Sequence, residues 1–127
     1  MEDDLVAAGR FVRLGTRGRH SGQSRAVTVG FVEAEDGAPG SLLVAAGAPD
    51  ADWAVNLLIE PRCRVRVGDR AFDADAEPLE GAEHARAIRA LILRYGTSAE
   101  GLGRGPSFRL VPVEVAVDPR PSTDGLG

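Results

Sequence analysis

The sequence predicts a mainly β domain: an antiparallel barrel of about six strands carrying one short and one longer helix. Three observations predict it. Short runs of alternating apolar and polar residues recur between turn residues, and neighbouring runs are joined by hairpin-type connections. No strand–helix–strand repeat of the kind that builds a Rossmann sheet is present. A chain of 127 residues, 43% hydrophobic and 27% charged, is long enough to bury one core and too short for two. The domain is expected over residues 1–117. Residues 118–127, rich in Pro, Gly, Ser and Asp, are expected to form a flexible tail, and the acidic stretch 1–4 to fray.

Phe11, Val12 and Leu14 open the first strand, which breaks at Gly15 before a polar turn. Residues 26–32 form the second strand, with Val27, Val29 and Phe31 on one face. The turn 35–40 contains Asp36-Gly37, and the apolar run 41–46 follows as a buried strand. Asp50 is the expected cap of a short helix in which Trp53, Leu57 and Leu58 recur at helical spacing until Pro61. Arg62, Arg64 and Arg66 then alternate with Cys63, Val65 and Val67. After Gly68-Asp69, Asp73 and Asp75 alternate with Phe72, Ala74 and Ala76, which makes this the clearest hairpin of the chain. Its arginines and aspartates are expected to pair across the strands on a solvated face, with little energetic weight. Residues 82–95 form the longer helix, with Ala85, Ile88, Leu91, Ile92 and Tyr95 as its apolar face. The glycine-rich stretch 96–106 reads as a loop, and residues 108–117 close the sheet.

Charge and composition exclude several functions. A net charge of −4 argues against a general nucleic-acid surface. All 15 basic residues are arginine, so Schiff-base chemistry and a lysine general base are excluded. One cysteine and two histidines offer no metal-ligand spacing, so no metal is expected. The lone Cys63 sits in a strand as a small core hydrophobe, and His84 is expected at the surface beside Glu83. No apolar run approaches the ~20 residues of a membrane span, and no leader opens the chain. A reducing cytoplasm is the expected compartment.

The turn 16–25 is where chemistry concentrates. It holds Arg17, Arg19, Arg25 and His20 with Ser21 and Ser24, and Gly18 and Gly22 let the backbone approach a ligand closely. Guanidinium forks present paired donors that match phosphate and carboxylate oxygens, so an anionic ligand is the natural partner. A solvated basic hairpin loop would have the same composition. Elsewhere side-chain catalysis is poorly provided for, so that an enzyme of this sequence would borrow its reactivity from a cofactor.

Several separated pieces resemble one family. Leu14-Gly15-Thr16-Arg17-Gly18-Arg19-His20-Ser21-Gly22-Gln23-Ser24-Arg25, then Val44-Ala45-Ala46-Gly47, then Trp53-Ala54-Val55-Asn56-Leu57 ending in Glu60-Pro61, agree in order and spacing with the deazaflavin-dependent nitroreductases. The resemblance runs from about residue 12 to residue 95. It implies a split β-barrel that binds the deazaflavin coenzyme F-420, with flavin mononucleotide as the alternative cofactor. Arg19, His20 and Arg25 match positions facing the phosphate and oligoglutamate tail, and Ser21 and Gly22 match the turn backbone. Val27, Ala46, Gly47 and Ala48 fall in the same cofactor site. Trp53 matches a pocket wall, with core packing as its other reading. Asn56 belongs to the same group and is expected to secure local backbone.

The implied reaction is hydride transfer from the reduced deazaflavin to an electron-poor small molecule such as a quinone, enone or nitroaromatic. No catalytic side chain is assigned. A non-catalytic ligand-binding protein on the same barrel is the alternative function, and a homodimer is a possible assembly. The sequence departs from the family pattern where Gly47-Ala48 replaces a Ser-Lys pair, where Ser24 replaces Pro, and where a tyrosine-rich substrate loop is reduced to Tyr95. The turn is therefore expected to hold the phosphate largely on its own.

Overall fold

The computed structural model describes residues 2–17, 24–35, 37–96 and 104–113. Along the chain come α1 (Glu2–Ala7), β1 (Val12–Arg17), β2 (Ser24–Val29), β3 (Val32–Glu33), β4 (Leu42–Ala45) and α2 (Asp52–Ile59). They are followed by β5 (Arg62–Val67), β6 (Arg70–Leu79), α3 (Gly81–Tyr95) and β7 (Ser107–Pro112). The seven strands make one antiparallel sheet in the order β2-β1-β5-β6-β7-β4-β3, curled around its core as a half-barrel. The fold is thus mainly β, as the alternating pattern requires.

Period-two burial places the core. β1 turns Val12, Leu14 and Thr16 inward, and β5 buries Cys63, Val65 and Val67 while Arg62, Arg64 and Arg66 stay outside. Leu42 and Val44 of β4, and Phe108 and Leu110 of β7, complete the interior, and Leu57 of α2 closes one end of it. Burying a Leu or Phe side chain stabilises the fold by roughly 1.5–3 kcal/mol, so these few positions dominate its stability.

The β5–β6 hairpin forms in the expected register, from Arg62↔Asp75 to Val67↔Arg70, around the two-residue turn Gly68-Asp69. Gly68 adopts φ 59°, which an L side chain resists and glycine does not. On the outer face Arg62 Nε donates to Asp75 Oδ1 at 2.7 Å, and Arg64 Nη1 to Asp73 Oδ1 at 3.1 Å. These are the expected solvated cross-strand pairs. The Asp75 carboxylate raises the Arg62 pKa, first through that hydrogen bond and then through its charge.

Other elements differ from expectation for identifiable reasons. Residues 2–4, expected to fray, belong to α1, which carries the fully buried Val6; the Val6 carbonyl accepts from the Gly68 N–H at 2.8 Å, and residue 1 lies outside the described residues. The strand expected over 26–32 stops at Val29, and β3 resumes at Val32. The Tyr95 ring occupies the space beside Gly30, where a Cβ would stand 2.8 Å from Tyr95 Cε2. α2 begins after Ala51 rather than Asp50, without a side-chain cap; the chain enters it through an Ala51 N–H bond to the Ala48 carbonyl at 3.3 Å.

α3 buries Ala87 and Leu91 rather than the whole expected stripe; Ile88, Ile92 and Tyr95 are half-buried and Ala85 is exposed. The helix rests on β3, β4 and β7, so only a narrow strip of it is covered. The expected last strand, 108–117, is seen as β7, and residues 114–127, including the expected tail, lie outside the described residues. Most of the 96–106 loop, residues 97–103, lies outside them as well.

Candidate functional site

The hairpin of β1 and β2 carries the basic turn. Its ladder runs from Val12↔Val29 to Thr16↔Arg25 and Arg17↔Ser24, so the turn leaves from Arg17 and returns at Ser24. Arg19, His20, Ser21 and Gly22 fall between these residues and lie outside the described residues. Arg25 is exposed on β2 directly across from Thr16. Two residues on, Val27 is half-buried and packs against the core.

α2 is tied to the base of this hairpin. Asn56, 3% exposed, donates from Nδ2 to Thr16 Oγ1 at 3.2 Å, and Thr16 is itself 2% exposed. One buried amide thus fixes the helix against the strand position whose ladder partner is Arg25. Trp53 lies one turn earlier on α2, half-buried, with its ring 6.0 Å from that of Phe108 and tilted by 54°. It packs against the core while part of its surface remains open, which is the core-packing reading of the residue.

The third segment is the connection from β4 to α2. Ala46 is buried, and its N–H donates to the Pro106 carbonyl at 2.9 Å. Gly47 is exposed, with nothing within 4 Å of where its Cβ would stand, and Ala48 is half-buried. The Ala48 carbonyl accepts the Ala51 N–H, so the connection leads directly into the Trp53 helix. Hairpin base, helix and connection are therefore joined by named hydrogen bonds. They present a guanidinium at Arg25, half-buried apolar surface at Val27 and Trp53, and open glycine backbone at Gly47. A guanidinium of this kind presents paired donors that match an anionic group.

Outside this region, two residues have structural rather than exposed roles. His84 is half-buried, its Nδ1 2.6 Å from Oγ of the fully buried Ser107, instead of lying free at the surface. Tyr95, the residue left from the tyrosine-rich loop, accepts the Phe31 N–H at 3.0 Å, and its hydroxyl lies 2.7 Å from the Arg10 carbonyl. Its hydroxyl is thus engaged in joining the end of α3 to the strand corner at Gly30. The sequence places Tyr95 on the packed face of its helix, but the partners of its hydroxyl and of His84 are distant in the chain and are not read from it.

Cys63 behaves as a core hydrophobe. Burial pushes its thiol up to about 12, and the nearby Asp75 and Asp73 charges push the same way. Beside it, Gly15, Thr16, Arg17, Arg62 and Arg64 line a shallow depression of about 320 Å³ together with the carboxylates of Glu60 and Asp73. Among the described residues no three His, Cys, Asp or Glu side chains are grouped to hold a metal ion, and no helix is long and apolar enough to cross a membrane.

Comparison with known proteins places the fold and the family. The chain is similar over 80% of its length to a solved F420-H2 dependent reductase, 93% of which is covered, at 27% identity and a TM-score of 0.66. Two more distant structures share the fold. A heme storage protein from Vibrio cholerae, HutZ, is 21% identical with a TM-score of 0.68, over 89% of this chain and 88% of that one. A FAD-binding protein from Mesorhizobium loti is 16% identical with a TM-score of 0.60, over 88% and 87%. None of the curated proteins compared with the chain matches it. The model of the F420H(2)-dependent quinone reductase family matches residues 6–116, nearly the whole described structure, and the chain belongs to that family.

Proposed function

We propose that this protein is a reductase that uses reduced coenzyme F-420 to deliver a hydride to an electron-poor small molecule of the quinone, enone or nitroaromatic class. Family membership supplies the cofactor and the reaction type. The observation that carries the reading to particular residues is the buried Asn56–Thr16 hydrogen bond, which joins the Trp53 helix to the strand pair bearing Arg25. That bond supports the reading by tying the helix motif to the base of the hairpin motif.

When bound, the deazaflavin supplies a hydride donor that the side chains of this protein lack. Arg25, with Arg19 and His20 of the turn, would hold its anionic tail, and Ser21 and Gly22 would offer donors to the phosphate. Val27 and Trp53 would form apolar walls that exclude water from the ring, and Ala46, Gly47 and Ala48 would lie along it as backbone. Asn56 acts through Thr16 as a positioning residue, because its amide is spent inside the protein. With Ala48 offering no cation, arginines of the turn must carry the anionic charge of the ligand.

Titration with coenzyme F-420 and, separately, flavin mononucleotide tests the cofactor. Saturable binding of the deazaflavin, followed by its oxidation when menadione, cyclohexenone or a nitroarene is added, is the expected outcome. Binding of flavin mononucleotide alone would transfer the assignment to a flavin protein.

A further inference from the structure

We infer that Gly105 is a positioning residue for the cofactor site: the absence of a side chain there lets residues 104–106 lie on the backbone of residues 46–48 and set its course. The inference rests on the function proposed above. Gly105 is buried, and a Cβ built on it would stand 2.5 Å from the Ala48 carbonyl oxygen, 2.8 Å from the Ala46 carbonyl oxygen and 2.8 Å from the Ala48 carbonyl carbon. All three are main-chain atoms, which cannot swing aside as the end of a side chain would. Gly105 does not belong to the positive-φ glycines, so the position requires space and not an unusual backbone conformation.

The neighbouring bonds show why a displacement would not stay local. The next residue, Pro106, accepts the Ala46 N–H at 2.9 Å, and the β4–β7 ladder starts beside it at Ala45↔Ser107. On the other side the Ala48 carbonyl accepts the Ala51 N–H that leads into α2. Residues 46–48 are therefore held between the 104–106 strap and the helix carrying Trp53 and Asn56. A methyl group at 105 must drive the Ala48 oxygen from 2.5 Å to an ordinary contact of at least 3.4 Å, against the bond that oxygen makes to Ala51. Gly47, in the same connection, is open on its outer side and can face a ligand. Displacements on the order of 1 Å in a supporting shell are enough to spoil a binding geometry.

The test compares wild type, Gly105→Ala and Gly30→Ala by fluorescence titration with oxidised coenzyme F-420 and by thermal melting. Gly30→Ala is a matched control, since its methyl meets Tyr95 Cε2 at 2.8 Å, a packing insult outside the 46–48 connection. Gly105→Ala is expected to bind about tenfold more weakly or worse, while Gly30→Ala melts earlier and keeps wild-type affinity. Wild-type affinity in a folded Gly105→Ala overturns the inference, as does an equal loss in Gly30→Ala. Should Gly105→Ala not fold, Pro106→Gly loosens the same strap without adding atoms; it must weaken binding severalfold, and unchanged affinity is the same refutation. A wild-type chain that binds no deazaflavin removes the proposed function itself, whereas a binding wild type with an indifferent Gly105→Ala removes only the role of Gly105.

Discussion

At the scale of single residues, the buried polar groups decide more than the exposed charges do. Asn56 and Thr16 satisfy each other in the interior, so Asn56→Ala leaves a buried hydroxyl without its donor and should cost about 1–3 kcal/mol in urea unfolding. Cys63 gives a pH signature. Its folded pKa of about 12 lies above the ordinary 9.0, so above pH 9 the unfolded chain releases a proton that the native chain keeps. Stability from the neutral thiol is full below pH 9 and is lost as pH rises towards 12, at up to about 1.4 kcal/mol per pH unit. Between pH 9 and 11 the wild type should therefore lose more stability than Cys63→Ala, measured by denaturant midpoints; parallel profiles would contradict the shift. The strand pattern of the sequence was enough to place Cys63 in the core. It could not place His84 or Tyr95, whose roles depend on Ser107, Phe31 and Arg10, residues contacted only once the sheet has curled.

At the scale of elements, legibility followed how local the determining contacts are. The β5–β6 hairpin was readable because alternation, the Gly68-Asp69 turn and opposite charges all lie within 18 consecutive residues, 62–79. α3 was readable as a helix but not as a packed face. Apolar periodicity favoured Ala85 with Ile88 and Ile92, whereas the sheet covers the strip through Ala87 and Leu91, where a small side chain allows close approach. Ala87→Leu should therefore destabilise by about 1–3 kcal/mol through overpacking, while Ala85→Leu, on an exposed position, should leave the melting temperature nearly unchanged. Tyr95 closes the far end of the same helix. Tyr95→Phe removes the acceptor of the Phe31 N–H and should cost about 1–3 kcal/mol, read by thermal unfolding. The break between β2 and β3 has the same origin: Gly30 belongs to a strand by its neighbours and to a corner by the ring that packs on it.

For the whole molecule, the barrel converts sequence distance into proximity. The bond from Asn56 to Thr16 joins the Trp53 helix to the base of the basic hairpin, and the bond from Ala51 to Ala48 joins the 46–48 connection to that helix. That convergence was implied by family resemblance and not by periodicity, since no local pattern states which strand ends meet. Although the net charge is −4, the turn between β1 and β2 places Arg17, Arg19 and Arg25 within nine consecutive residues that contain no Asp or Glu. Binding governed by such exposed cations must weaken with salt, because ions screen charges over about 8 Å at physiological strength and about 3 Å at 1 M. The most direct test is equilibrium titration with coenzyme F-420, at low and high salt, of the wild type and of Arg19→Ala and Arg25→Ala. Saturable binding that falls with salt and falls sharply in both variants is expected; no binding, or curves that salt and both substitutions leave unchanged, would contradict a deazaflavin site at the basic hairpin.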